Sequence, residues 1–213
     1  MSDGYWPMFD LRLTTPDLEL RHLTEADLGP LAAILPGDVE QDPSSTTYPG
    51  LDPVRARGVV LHQDYWRGRG SWRPEAWALS FGVFRDGELL GYQGLEGEDF
   101  ARLRTVDSSS FLTTAARGQG LGKQMRAAVL TLAFGALGAR FAITSAWSDN
   151  GASLGVSRAV GYVDNGRTAQ RRGETAGEMI HLRLTREQWS TSGWADRTTV
   201  EGIEECMPFF GLG

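Results

Sequence analysis

The stretch that most constrains how this chain folds is Arg117-Gly118-Gln119-Gly120-Leu121-Gly122-Lys123. It stands between a strand-like run ending in Phe111-Leu112-Thr113 and a long amphipathic helix. The apolar positions of that helix recur at Met125, Ala128/Val129, Leu132 and Ala136, which is helical spacing. Three glycines at a helix entrance leave the backbone bare. Its unpaired N–H groups and the positive end of the helix dipole suit an anion, above all phosphate or pyrophosphate. The plainer alternative is a glycine turn used only to pack a strand closely on a helix.

Spacing separates the known kinds of phosphate loop. A Walker loop ends in Gly-Lys-Ser/Thr, whereas a count from Gly118 puts Lys123 where that second glycine belongs, with Gln124 after it. A dinucleotide fingerprint counted from Gly118 and Gly120 also lands on Lys123. What fits is Arg-x-x-Gly-x-Gly, as Arg117, Gly120 and Gly122. Further on, Asp149-Asn150 opens another helix, in which Asn150, Ser153 and Ser157 share one face. Ala152, Val156, Ala159 and Val160 are the expected buried face, Gly161 stops the helix and Tyr162 begins a strand.

Together these two motifs resemble the pyrophosphate loop and the second signature of the GNAT superfamily of N-acetyltransferases. The likeness covers residues 8 to 190 and is closest to the ribosomal-protein N-terminal acetyltransferase (RimJ/RimL-type) branch. It implies an α/β fold of the α+β kind: a mixed, mostly antiparallel central sheet of about seven strands with helices on both faces. It also implies acetyl-CoA as co-substrate and an acetyl group moved to a primary amine by direct attack. The resemblance assigns the pyrophosphate to Arg117, Gly118, Gln119, Gly120, Leu121, Gly122 and Lys123. It assigns the pantetheine arm to the strand end Phe111, Leu112 and Thr113, and further coenzyme A contacts to Asn150 and Ser153.

The catalytic residues implied are Asp107 as base and Ser157 near the leaving thiol. Glu96, Glu98 and Asp99 are rival bases, and a solvated Asp107 at a strand end is the plain alternative. Many superfamily members carry a general-acid tyrosine where this chain has Ser157. Serine is a poor acid, but a thiol of pKa near ~8.5 requires little acid strength, and a hydroxyl can hydrogen-bond the thiolate or hold a water. Small-residue packing is the alternative for Ser157, a helix cap for Asn150, and inward packing for Tyr162. Tyr65 and Trp66 lie near the second helix, where the family builds its acceptor wall, although aromatics there also serve as core. The expected acceptor is a small-molecule amine or a peptide N-terminus. It would be drawn by the acidic segment Pro36 to Gly50 with Asp38, Glu40, Gln41 and Asp42. A longer acyl-CoA, or a coenzyme-A-binding regulatory module without catalysis, remain as other readings.

Composition narrows the setting. A chain of 213 residues with 41% hydrophobic content is long enough for one sizeable core, and no apolar run approaches a membrane span. The start MSDGYWPMFD has neither the basic region nor the apolar core of a signal peptide, and Cys206 is the only cysteine. A cytoplasmic protein is therefore expected. Three histidines without ligand spacing predict no metal, and a net charge of −6 predicts no nucleic-acid binding. In chain order, the pattern predicts strands near Leu11–Leu13 and Leu18–Leu20 and helices from Thr24 and Asp52. The second helix should bury Val54, Gly58, Leu61 and Tyr65. Strands are expected over 76–84, 88–94, 104–113, 139–147, 162–170 and 179–184. An acetyltransferase domain over 1–190 would be followed by a tail, 191–213. Its Met207-Pro208-Phe209-Phe210 is too apolar to hang in water, so it should fold onto the body or onto a partner subunit in a homodimer.

Overall fold

The structure is a computed structural model, and it describes residues 4–40 and 45–212. Ten strands form one sheet. In order they are β1 (Arg12–Thr14), β2 (Glu19–His22), β3 (Ala76–Arg85), β4 (Glu88–Glu98), β5 (Thr105–Asp107), β6 (Ser110–Leu112), β7 (Phe141–Trp147), β8 (Val163–Arg172), β9 (Thr175–Thr185) and β10 (Thr199–Glu201). The helices are α1 (Glu25–Ala33), α2 (Pro53–Gly70), the short α3 (Phe100–Leu103), α4 (Leu121–Thr131), α5 (Gly151–Ala159) and the short α6 (Arg186–Ser190). Neighbours across the sheet run β10-β1-β2-β3-β4-β5-β7-β9-β8, and β6 pairs with β4 off this path. Among the described residues only the β5–β7 pair is parallel. Among the described residues no helix is long and apolar enough to cross a membrane.

The class is the mixed, mostly antiparallel α/β sheet expected, but with ten strands instead of about seven. Two causes account for most of the surplus. The run expected as one strand over 104–113 breaks at Ser108-Ser109. β5 then lies between β4 and β7, whereas β6 pairs with β4 alone, at Gly91–Gln93. The tail adds β10, which pairs antiparallel with β1 from Arg12↔Glu201 to Thr14↔Thr199. Turn chemistry explains the long β3–β4 hairpin. Asp86 (φ 52°) and Gly87 (φ 81°) are both left-handed, the two-residue turn whose twist matches the strands.

The core has two compartments. The larger holds Leu121, Met125 and Val129 of α4 with Leu154 of α5 and the sheet residues they cover, such as Leu79, Val106 and Leu184. The smaller lies on the other face, where Leu28 and Leu31 of α1 and Tyr65 of α2 meet Leu23, with Phe111 and Tyr92 partly buried beside them. Two expectations about helix faces are corrected here. Val54 is 73% exposed because it lies in the first turn of α2, before that helix reaches the sheet; Val60 and Tyr65 are buried instead. On α5 the buried positions are Leu154, Ser157 and Val160, while Ala152 and Ala159 face solvent. The face bearing Ser157 therefore turns inward.

Residues 199–210 close onto the body. Phe210 and Cys206 are fully buried, and the Phe210 ring stands 4.8 Å from that of Trp77 and 5.6 Å from that of Trp72. Trp72 Nε1 donates to the Phe209 carbonyl at 2.9 Å. Gly202 (φ 76°) sits so close to Asp10 that a Cβ there would come within 2.5 Å of its carbonyl oxygen.

Candidate active site

The break between β5 and β6 makes the site. β5 keeps its parallel register with β7 as far as Asp107↔Ile143. Thr144 Oγ1 then donates to the Ser108 carbonyl at 3.1 Å, and beyond that point β6 pairs only with β4. Gly91 permits the departure. A Cβ there would come within 2.2 Å of the Phe111 carbonyl oxygen. The strand thus leaves a gap on the β7 side, where the backbone of Ser110, Phe111 and Leu112 has no strand partner.

The chain passes from β6 through Thr113 and a short turn to the glycine loop. Its glycines perform separate tasks. Gly118 (φ 75°) and Gly120 (φ 83°) adopt left-handed conformations, and a Cβ on either would meet nothing within 4 Å. The space before the N-terminus of α4 is therefore open, with Gly120 as its cap residue and no side chain capping it. Gly122 instead serves packing: a Cβ there would approach Val156 Cγ2 to 3.2 Å. Gln119 braces the loop, donating to the Ala115 carbonyl at 2.8 Å and accepting from Arg85 at 2.9 Å. Lys123 lines a pocket of about 310 Å³ on the outer side of α4 with Gly120, Gln124 and Arg197.

Arg117 is exposed, and its guanidinium is engaged by protein groups. Its Nε donates to the Leu112 carbonyl at 3.2 Å, and its two terminal nitrogens grip Asp38 at 2.5 and 2.9 Å. That contact holds the Asp38 carboxyl below the usual carboxylate range. Glu40 and Asp149 similarly engage Arg172, Asp149 at 2.8 Å. Of the acidic segment after α1, Asp38 is thus paired with Arg117 of the loop and Glu40 with Arg172 of β8. Gln41 and Asp42 lie outside the described residues.

Asn150 caps α5, its side chain accepting from the Ser153 backbone N–H at 3.0 Å. Ser157 is 1% exposed and accepts from Arg126 Nη1 at 3.4 Å. Arg126 is the residue the sequence reading passed over. Its signal is an arginine inside a stretch, Met125 to Leu130, that is otherwise apolar and fully buried. Asp107 opens instead to the opposite face of the sheet, into a cleft of about 480 Å³ shared with Glu96, Glu98, Arg73 and Ile143. Burial raises the Asp107 pKa; the Ser108 N–H, at 2.6 Å from its carboxylate, and the charge of Arg126 oppose the rise. Tyr65 and Trp66 do not line this cleft. The Tyr65 hydroxyl donates to the Leu23 carbonyl at 3.0 Å within the smaller core, and Trp66 is 51% exposed on the outer side of α2. Asp99 is not among its lining residues either and pairs with Arg102 at 2.7 Å.

A family profile described as "Acetyltransferase (GNAT) domain" matches residues 17–163, more than half of the chain. Solved structures share the fold. A RimJ from Mycobacterium smegmatis in complex with a CoA-disulfide is 17% identical, with a TM-score of 0.65 over 93% of this chain and 99% of its own. A RimL ribosomal L7/L12 alpha-N-protein acetyltransferase in complex with coenzyme A is 18% identical, with a TM-score of 0.62 over 80% of this chain and 95% of its own. A spermidine N-acetyltransferase chimera built from Vibrio cholerae SpeG and hSSAT is 13% identical, with a TM-score of 0.63 over 82% and 99%.

Proposed function

Because the chain belongs to the GNAT acetyltransferase family, we propose that it moves an acetyl group from acetyl-CoA to a primary amine of a small molecule or a peptide N-terminus. The observation that carries this reading is the gap beside β6, with the bare glycine loop at one end and the carboxylate-lined cleft of Asp107 on the other face of the sheet. The open space before Gly118 and Gly120 fits a pyrophosphate, which backbone N–H groups at the α4 N-terminus would hold. The unpaired edge of Ser110 to Leu112 fits an arm carrying amide groups. Acetyl-CoA, when bound, supplies an activated acyl group on a thiol that leaves readily.

The chain's residues supply the rest. Three carboxylates, Asp107, Glu96 and Glu98, line the cleft against one cation, Arg73, which pairs with Glu98 at 3.8 Å, and the excess of carboxylates favours a cationic amine and its carrier. An ammonium ion has no lone pair, so a proton must leave before attack. Asp107 accepts it directly or through a water, and its raised pKa makes it a stronger base than a solvated carboxylate. An α-amino group is also the easier acceptor. At pKa ~8 roughly 10% of it is neutral at pH 7, against under about 0.1% of a lysine at ~10.4.

Thiol release from acetyl-CoA over a panel of polyamines, aminoglycosides, aryl amines and peptides with free N-termini tests the reading. Turnover on at least one class is expected. Coenzyme A binding without turnover on any would reduce the chain to a binding module. For the base, the rate should rise with pH through a value above the usual carboxylate range. Asp107→Asn should remove that acidic limb and lower kcat about 100-fold or more. An unchanged pH–rate profile would assign the proton to water alone.

A further inference from the structure

Arg126 is 3% exposed, and a guanidinium stays charged in any protein environment. Burying such a charge is costly unless an anion or several good hydrogen bonds compensate for it. Neither is present. None of the ion pairs formed among the described residues includes Arg126. Its contacts are three hydroxyls at the long end of hydrogen-bond range: Thr144 and Ser157 at 3.4 Å from Nη1, and Ser110 at 3.3 Å from Nη2. Its Nε has no partner.

The surroundings repeat the pattern. The Tyr162 hydroxyl and the Ser108 hydroxyl are both buried and without hydrogen-bond partners. Both belong to the same neighbourhood: Tyr162 feels the charge of Arg126 and the nearby Ser108. Two buried hydroxyls with no well-formed hydrogen bond, beside a cation with no ion pair and a free Nε, describe a site arranged for something negative. The site reaches the surface at Ser110, which is exposed and stands on the unpaired edge of β6. It therefore opens into the gap already described, beside Ser157.

We propose that Arg126 is the positioning residue for the leaving group, its charge acting through the Ser157 and Ser110 hydroxyls to hold the coenzyme A sulfur as a thiolate. This rests on the acetyl-transfer reading above. A serine that accepts from a guanidinium turns its own hydrogen outward and donates it more strongly. Ser157 thereby becomes an effective partner for an anion without acting as an acid. In the transfer the amine lone pair forms the C–N bond, the C–S bond breaks and its electron pair departs on sulfur. The proton lost by the amine passes to Asp107 or water, and finally to the thiolate once it has left. The titratable groups facing Arg126 are Asp107 and Tyr162.

The test reads the thiol itself rather than the reaction. Thiolate absorbance of coenzyme A bound to the full chain is followed against pH, with the complex of desulfo-coenzyme A as the blank. The bound thiol should titrate about one unit or more below free coenzyme A. Arg126→Met should return it to the free value, while Arg126→Lys keeps part of the shift. Calorimetric affinity for coenzyme A should stay within about threefold, since the glycine loop is untouched. If Arg126→Met does not fold, Ser157→Ala becomes the reporter and should remove at least about half of the shift. A bound thiol that titrates as in free solution, or one equally shifted in Arg126→Met, overturns the inference and leaves the cluster to an internal water only. Failure of the acetyl-transfer reading looks different: no amine is acetylated, or coenzyme A does not bind at all, and the inference falls with it.

Discussion

Replacing Gly120 with valine will cost the chain about 100-fold or more in coenzyme A affinity and leave its fold intact. At φ 83° the residue occupies a conformation that costs a branched side chain on the order of 1–3 kcal/mol. The added Cβ would meet no protein atom within 4 Å. It would instead fill the space through which a phosphate reaches the N–H groups of α4, and each charge-assisted hydrogen bond lost adds about 1.5–3 kcal/mol. Gly122→Val supplies the contrast. Its Cβ would press on Val156 at 3.2 Å, so its damage should appear as lost thermal stability in the α4–α5 contact. Calorimetry for binding and circular dichroism for melting separate the two. A dissociation constant for Gly120→Val within threefold of wild type would remove the pyrophosphate from this loop.

Phe210→Ala should destabilise the chain by about 3–5 kcal/mol, although it lies far along the sequence from the site. The ring is fully buried between Trp72 and Trp77, and the truncation leaves a cavity that two indoles cannot collapse to fill. Domains of this kind have a total stability of about 5–15 kcal/mol, so one side chain near the end decides a large share of it. Urea denaturation would show the loss as a lower midpoint at constant slope. A change below roughly 1 kcal/mol would mean that the segment 204–210 is not part of the folded unit.

What could be seen in the sequence was what a few adjacent residues decide. The glycine loop is such a feature: its positive φ values and bare helix entrance follow from residues 117–123 themselves. The β3–β4 turn is another, since Asp86-Gly87 between two strand-like runs is itself a hairpin signal. What escaped depended on distant partners. Nothing in Arg104 to Thr113 says that its first half will lie beside β7 and its second half will not. On α5, alanines and serines of similar size pointed to Ala152, Val156, Ala159 and Val160 as the buried face, whereas Leu154 and Ser157 turn inward, Ser157 toward the buried Arg126 of α4. Tyr65 was legible as an inward residue of α2, yet its hydroxyl is spent on the Leu23 carbonyl, a contact 42 residues away in sequence. The acidic segment near Asp38 was legible as charge, but not as the partner of Arg117, 79 residues later.

The pairing of β1 with β10 also bears on how the chain is made. Residues 12–14 are made well before residues 199–201, which cover their outer edge. Until those are released, a strand edge with unpaired N–H and C=O groups and the apolar faces of Trp72 and Trp77 stay uncovered on the growing chain. Loops that long close slowly, because their entropy is lost before the contacts repay it. Closure of this sheet thus waits for residues 199–201, and until they arrive the β1 edge is open to strands of neighbouring chains.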